Sequence, residues 1–197
     1  MNPPERLRAI LIWTALAAAI AVPIIAAAFS PLLAWRRPIY IAGGFAGIIA
    51  MTLLLVQPLL ATGYLPGLPR PRARRLHLWV GAALVLAVAI HVAALWITSP
   101  PDVIDVLLLR SPTPFAIWGV VAMWAVFATL GLALLRRRLR LRPRTWGWAH
   151  TVLILVFVPG SVIHALLIEG SMESLSKIAL CILVVVASTA ALRQLRR

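Results

Sequence analysis

Six runs of about twenty apolar residues divide the chain, at roughly 9–29, 39–60, 76–97, 115–135, 147–168 and 175–192. An α-helix rises about 1.5 Å per residue, so each run is long enough to cross a hydrocarbon layer of about 30 Å. Prolines and arginines stand between the runs: Pro31 and Pro38, the stretch 65–75, the stretch 100–114 and the stretch 136–144. The pattern predicts an all-α protein, an integral membrane six-helix bundle forming a single domain over residues 1–197, with no soluble domain of useful size. Small residues at 26–28 would suit a signal-peptide cleavage site. The first run nevertheless exceeds the 7–15 apolar residues of a secretory signal and is read as a span. No low-complexity tail or long linker is present, and the only repeat is the recurrence of a histidine pair described below.

Composition agrees with this division. Hydrophobic residues make up 62% of the chain and charged residues 12%, against about 45–50% and 25% in soluble domains. A net charge of +14 would ordinarily suggest nucleic acid. Here the arginines sit in short clusters between apolar runs, which is how membrane proteins fix their orientation, so no nucleic-acid partner is expected. One side of the predicted bundle collects 15 basic residues: Arg6, Arg8, Arg70, Arg72, Arg74, Arg75, six arginines within 136–144, Arg193, Arg196 and Arg197. The other side has 4, Arg36, Arg37, Arg110 and Lys177, together with the acids Asp102, Asp105, Glu169 and Glu173. That bias predicts both termini in the cytoplasm and a multi-pass protein of the cell inner (plasma) membrane. The single cysteine, Cys181, lies within an apolar run and has no internal disulfide partner.

All four histidines fall in the third and fifth runs, as His77 with His91 and His150 with His164, each pair 14 residues apart. Fourteen residues are close to four helical turns and about 21 Å of rise, so both imidazoles of a run project from nearly the same face near opposite membrane surfaces. The two runs cross in the same direction, and matching depths pair His77 with His150 and His91 with His164. Ionisable groups are rare inside membranes and mark functional sites by default. Zinc prefers four ligands drawn from nearby positions. Two separate sites with two opposed imidazoles each are haem-like. Phe157 lies seven positions from both His150 and His164, where an aromatic ring would fill the gap between two stacked macrocycles or simply pack the core. Gly81, Gly147 and Gly160 leave room for a flat cofactor or for close helix contact. Arg74, Arg75 and Arg144 on the inner side and Arg110 on the outer are candidate partners for haem propionates, or serve only as topology determinants and lipid head-group contacts.

The segments RRLHLWVGAALVLAVAIH and LRPRTWGWAHTVLILVFVPGSVIH resemble the ferric reductase-like transmembrane domain. That superfamily includes NADPH oxidases, ferric reductases and the haem-binding membrane subunit of the bacterial methionine sulfoxide reductase system. The resemblance runs from about residue 39 to residue 192 and implies a six-helix bundle with b-type haems held by histidines of the third and fifth spans. It implies His77 and His150 as iron ligands of an inner haem b, His91 and His164 as those of an outer one, and Phe157 as the aromatic between them. Oxidases and ferric reductases of the superfamily usually continue into a flavin and nicotinamide domain. No G-x-G-x-x-G occurs here; Gly43, Gly44 and Gly47 lie inside an apolar run and read as helix packing. The expected function is therefore a membrane b-type cytochrome, an oxidoreductase component carrying electrons through bis-histidine haems. It would take them from a separate flavoprotein reductase or quinol and give them to an acceptor outside the cytoplasm. Two haems are expected, with one haem or an additional flavin left open. The alternative from another class is a non-redox transporter or assembly factor using its histidines for packing or proton relay.

Overall fold

The computed structural model describes residues 3–195; Arg196 and Arg197, counted above among the inner arginines, lie outside the described residues. Seven α-helices and no strand occur among those residues. In chain order they are α1 (Pro3–Ala28), α2 (Pro38–Thr62), α3 (Arg70–Thr98), α4 (Pro100–Leu107), α5 (Pro114–Leu135), α6 (Pro143–Leu167) and α7 (Ser174–Leu195), with a 3-10 turn at Pro31–Leu33. All except α4 are long and apolar enough to cross a membrane, which gives six spans.

Proline sets most of the starts. It occupies the first turn of α2, α3, α4, α5 and α6, where its missing N–H costs nothing and its fixed φ already suits a helix. At the far end of α2, Gly63 adopts φ 72° and its N–H closes on the Leu59 carbonyl, the left-handed cap that glycine takes without a Cβ clash. Two details differ from the sequence expectation. Within the stretch 100–114, expected to be a connection, α4 forms a short helix beside α3 and α5. Arg70, Arg72, Arg74 and Arg75 belong to the first turns of α3 instead of a loop, and Arg144 to the first turn of α6.

Two helix hairpins, α2–α3 and α5–α6, form the closest-packed pairs. The last helix, α7, packs on α2 and on α6 and so joins the hairpins, while α1 lies at the edge against α2 and α7. Lipid offers no hydrophobic drive for helices to associate, so close backbone approach and packing carry the contact. A Cβ on Gly43 would stand 2.9 Å from that of Ala94, and one on Gly160 would stand 3.2 Å from both the Ala122 Cβ and the Trp118 carbonyl. A Cβ on Gly81 would stand 2.9 Å from the Gln57 amide nitrogen, whereas one on Gly147 would meet open space. Of the two uses considered for these glycines, Gly81 and Gly160 therefore serve helix contact. Leu54, Leu84, Ala122, Phe157, Leu180 and Val184, from five different helices, belong to one buried cluster at the centre. Large apolar residues such as Leu11, Leu86 and Ile182 are exposed on the outside of the bundle, as expected where the solvent is lipid.

The chain ends of the bundle are tied locally. The Gln194 side-chain amide donates to the Thr62 carbonyl at 3.4 Å, placing the end of α7 beside the end of α2. At the opposite end, buried Lys177 donates to the Ile168 carbonyl at 2.9 Å and closes the turn from α6 to α7.

Candidate functional site

Helices α3 and α6 carry all four histidines and barely touch each other's backbone, yet their imidazoles meet across the gap at two levels. The His77 and His150 ring centroids are 6.4 Å apart with planes at 70°. The His91 and His164 centroids are also 6.4 Å apart, with planes at 81°. Each meeting joins one residue from either hairpin, and the levels are separated by the 14-residue rise along each helix.

Three of the rings are oriented by the backbone of the other helix of their own hairpin. Nδ1 of His91 lies 2.7 Å from the Gly43 carbonyl oxygen, Nδ1 of His77 3.2 Å from that of Gln57, and Nδ1 of His164 2.9 Å from that of Phe115. A carbonyl only accepts, so these three rings carry their proton on Nδ1 and keep Nε2 as the basic nitrogen. The Gln57 side-chain amide also donates back to the His77 carbonyl at 3.3 Å. His150 departs from the pattern: its Nδ1 is buried with no hydrogen-bond partner among the described residues. Its ring instead stacks on Trp146, at 5.5 Å between centroids and 17° between planes, and Arg136 places its guanidinium carbon 5.0 Å from the other ring's centre.

Glycine makes room for the His91–His164 pair. A Cβ on Gly47 would lie 3.1 Å from His91 Nδ1, and one on Gly119 would lie 2.7 Å from His164 Nδ1 and 2.8 Å from its Cε1. Each glycine is four residues, one turn, beyond the carbonyl that holds the ring. Gly47 is thus a bed for an imidazole as well as part of a helix contact, and Gly119 was not singled out from sequence at all. The coincidence exposes a longer repeat than the histidines alone. His77, Leu84 and His91 on α3 correspond to His150, Phe157 and His164 on α6, and Arg70-Pro71-Arg72 opening α3 recurs, one residue further from its histidine, as Arg142-Pro143-Arg144 at the start of α6. Phe157 is buried, at 5% exposure, and its counterpart Leu84 is buried at 2%. Both lie halfway between the imidazole levels in helix register and belong to the same central cluster.

Of the candidate arginines, Arg74, Arg75, Arg110 and Arg144 are all exposed. The first two and Arg144 stand on helix turns at the end that carries His77 and His150; Arg110 follows α4 at the other end. Among the described residues, the arginine seen to engage the imidazole system is Arg136, through Trp146. Among the described residues, no three or more His, Cys, Asp or Glu side chains converge as a metal cluster.

A family model described as ferric reductase like transmembrane component matches residues 46–161. The chain belongs to this family. The matched stretch holds His77, His91, His150 and Phe157, and His164 follows three residues beyond it. No curated protein and no solved structure matches the chain. Membership in the ferric reductase-like family, with six apolar spans, makes this a multi-pass component of membrane redox chemistry.

Proposed function

We propose that the protein is a transmembrane b-type cytochrome, with His77 and His150 ligating an inner haem and His91 and His164 an outer one. The observation that carries this reading is the imidazole separation. Two imidazoles bound through nitrogen at about 2.0–2.1 Å on opposite sides of one metal ion would have centroids about 6.3 Å apart, and at a tetrahedral ion only about 5 Å; both pairs stand at 6.4 Å. The donor chemistry fits as well. Nδ1 protonation turns Nε2 into the free donor on three of the rings, the arrangement by which second-shell carbonyls orient metal-binding histidines. Two ligands per level suit haem iron, whose other four positions are filled by the macrocycle, better than they suit tetrahedral zinc.

When bound, each haem supplies a one-electron couple, and the chain's own residues do the rest. Backbone carbonyls of Gly43, Gln57 and Phe115 fix ring orientation and raise ligand basicity. Leu84 and Phe157 fill the space between the two levels and keep water out of it. Two imidazoles per level would leave the iron of a bound haem no position for a further ligand, so an acceptor would not need to bind the metal. The arginine-rich end is read as the cytoplasmic side, where the cluster at 136–144 suits docking of a separate acidic electron donor. Arg74, Arg75 and Arg144 on that side and Arg110 on the other remain the proposed propionate contacts.

Purified protein is expected to be red, to contain haem b, and to gain sharp α and β bands on reduction with dithionite. NADH or NADPH alone, without an added flavoprotein, should leave it oxidised. A colourless preparation after expression with adequate haem supply would overturn the reading, and rapid reduction by a nicotinamide alone would overturn the separate donor.

A further inference from the structure

The two hairpins treat three histidines alike and the fourth differently, and the difference is built from specific residues. Position 57 on α2, whose carbonyl holds His77, corresponds in the repeat to Thr129 on α5, whose hydroxyl turns back onto the Ala125 carbonyl at 2.8 Å. Among the described residues no carbonyl meets Nδ1 of His150, and that atom is buried. The change is matched one turn below the ring. On α3 the residue four before His77 is Ala73, fully packed at 2% exposure. On α6 the residue four before His150 is Trp146, stacked on the imidazole, and the Arg136 guanidinium lies over the same indole. Residues four apart share a helix face, so Trp146 is placed by the helix itself to support the ring.

We propose that the Arg136–Trp146 pair is the positioning element for His150, standing in for the missing carbonyl and making the inner level structurally responsive to the arginine-rich surface. This rests on the haem reading above. A hydrogen bond to Nδ1 fixes a ring's rotation and pushes electron density toward Nε2. A stacked indole fixes the ring's plane but lends no such density, and a cation over an indole is held by its quadrupole. His150 is accordingly the softest of the four ligands, and its orientation depends on a residue, Arg136, that lies within the proposed docking loop.

A tryptophan near a membrane surface also serves as an interfacial anchor, a role that would leave the electronic spectrum of a nearby iron untouched. The test therefore reads the iron. In the full-length chain carrying His91→Ala, so that the inner level is read alone, the ferric electron paramagnetic resonance signal and midpoint potential are compared for Trp146→Leu, Trp146→Phe and Arg136→Gln. The expected result is a shifted, broadened inner signal and a several-fold loss of inner haem in Trp146→Leu, near-parental behaviour in Trp146→Phe, and an intermediate shift in Arg136→Gln. In the chain with all four histidines, Trp146→Leu should leave the outer signal unmoved. A haem-loaded Trp146→Leu protein with the parental inner signal, or one in which both levels change together, would overturn the positioning role while leaving the cytochrome reading intact. A parent protein that takes up no haem would overturn that reading instead.

Discussion

At the residue scale, the outer imidazoles are confined on two sides. His164 lies between the Phe115 carbonyl and the bare Cα of Gly119, and His91 between the Gly43 carbonyl and Gly47. A methyl group at 119 would stand under 3 Å from two ring atoms, while one at 47 would stand 3.1 Å from Nδ1. Overpacking of this kind costs about 1–3 kcal/mol where the neighbour cannot yield. Gly119→Ala is therefore expected to reduce outer-haem content and shift its spectrum clearly, and Gly47→Ala to do so more weakly; pyridine haemochrome assay and low-temperature difference spectra of the two variants check the order. The histidines themselves were legible in sequence because their equal interval needs only helix arithmetic. Gly47 and Gly119 were not legible as ring beds, because their role depends on the register between neighbouring helices, which no single run encodes. Trp146 and Arg136 escaped for the same reason, their partner being a ring whose usual carbonyl is absent.

At the scale of elements, the helix starts are chemical. Glu173 stands just before α7 and its carboxylate accepts from the backbone N–H of Ser176 at 2.7 Å and of Leu175 at 2.6 Å. Those donors hold its carboxyl below the usual carboxylate range. A depressed folded-state value means that the cap stabilises the fold above the ordinary carboxylate pKa and that this contribution is lost as pH falls through the lowered value. Glu173→Gln should lower the thermal midpoint of the detergent-solubilised protein slightly at neutral pH, and the difference from wild type should vanish in strong acid; a difference independent of pH would contradict the carboxylate cap. Proline stands in the first turn of five helices, including α4, which lies in a stretch read from sequence as a connection. The arginines of α3 were placed outside the helix because apolar runs report where lipid begins, not where backbone hydrogen bonding does. Guanidinium groups on long stems reach the head-group region while their backbone stays helical, so α3 starts at Arg70, ahead of its apolar run.

For the whole molecule, six spans in series return the end of α7 to the side on which α1 begins, and the Gln194–Thr62 contact agrees. The proposal that this side faces the cytoplasm rests on the arginine bias. Reporter fusions after α7 and in the connection between α4 and α5 should report opposite compartments, with the fusion after α7 cytoplasmic. A fusion after α7 that is active outside would exchange the sides assigned to the two histidine levels. The six-span bundle was legible because apolar length alone decides it. The duplicated hairpin was not, since apart from Arg-Pro-Arg and the histidines its two copies share packing roles more than residue types, as Leu84 and Phe157 do. The central claim, two levels each held by one histidine from either hairpin, is tested most directly by counting haem b per chain in the four single His→Ala variants, with spectra resolving the two levels. Wild type is expected to hold two haems, His77→Ala and His150→Ala to lose the same one, and His91→Ala and His164→Ala to lose the other. Full haem content in all four variants, or loss that pairs His77 with His91 and His150 with His164, would contradict it.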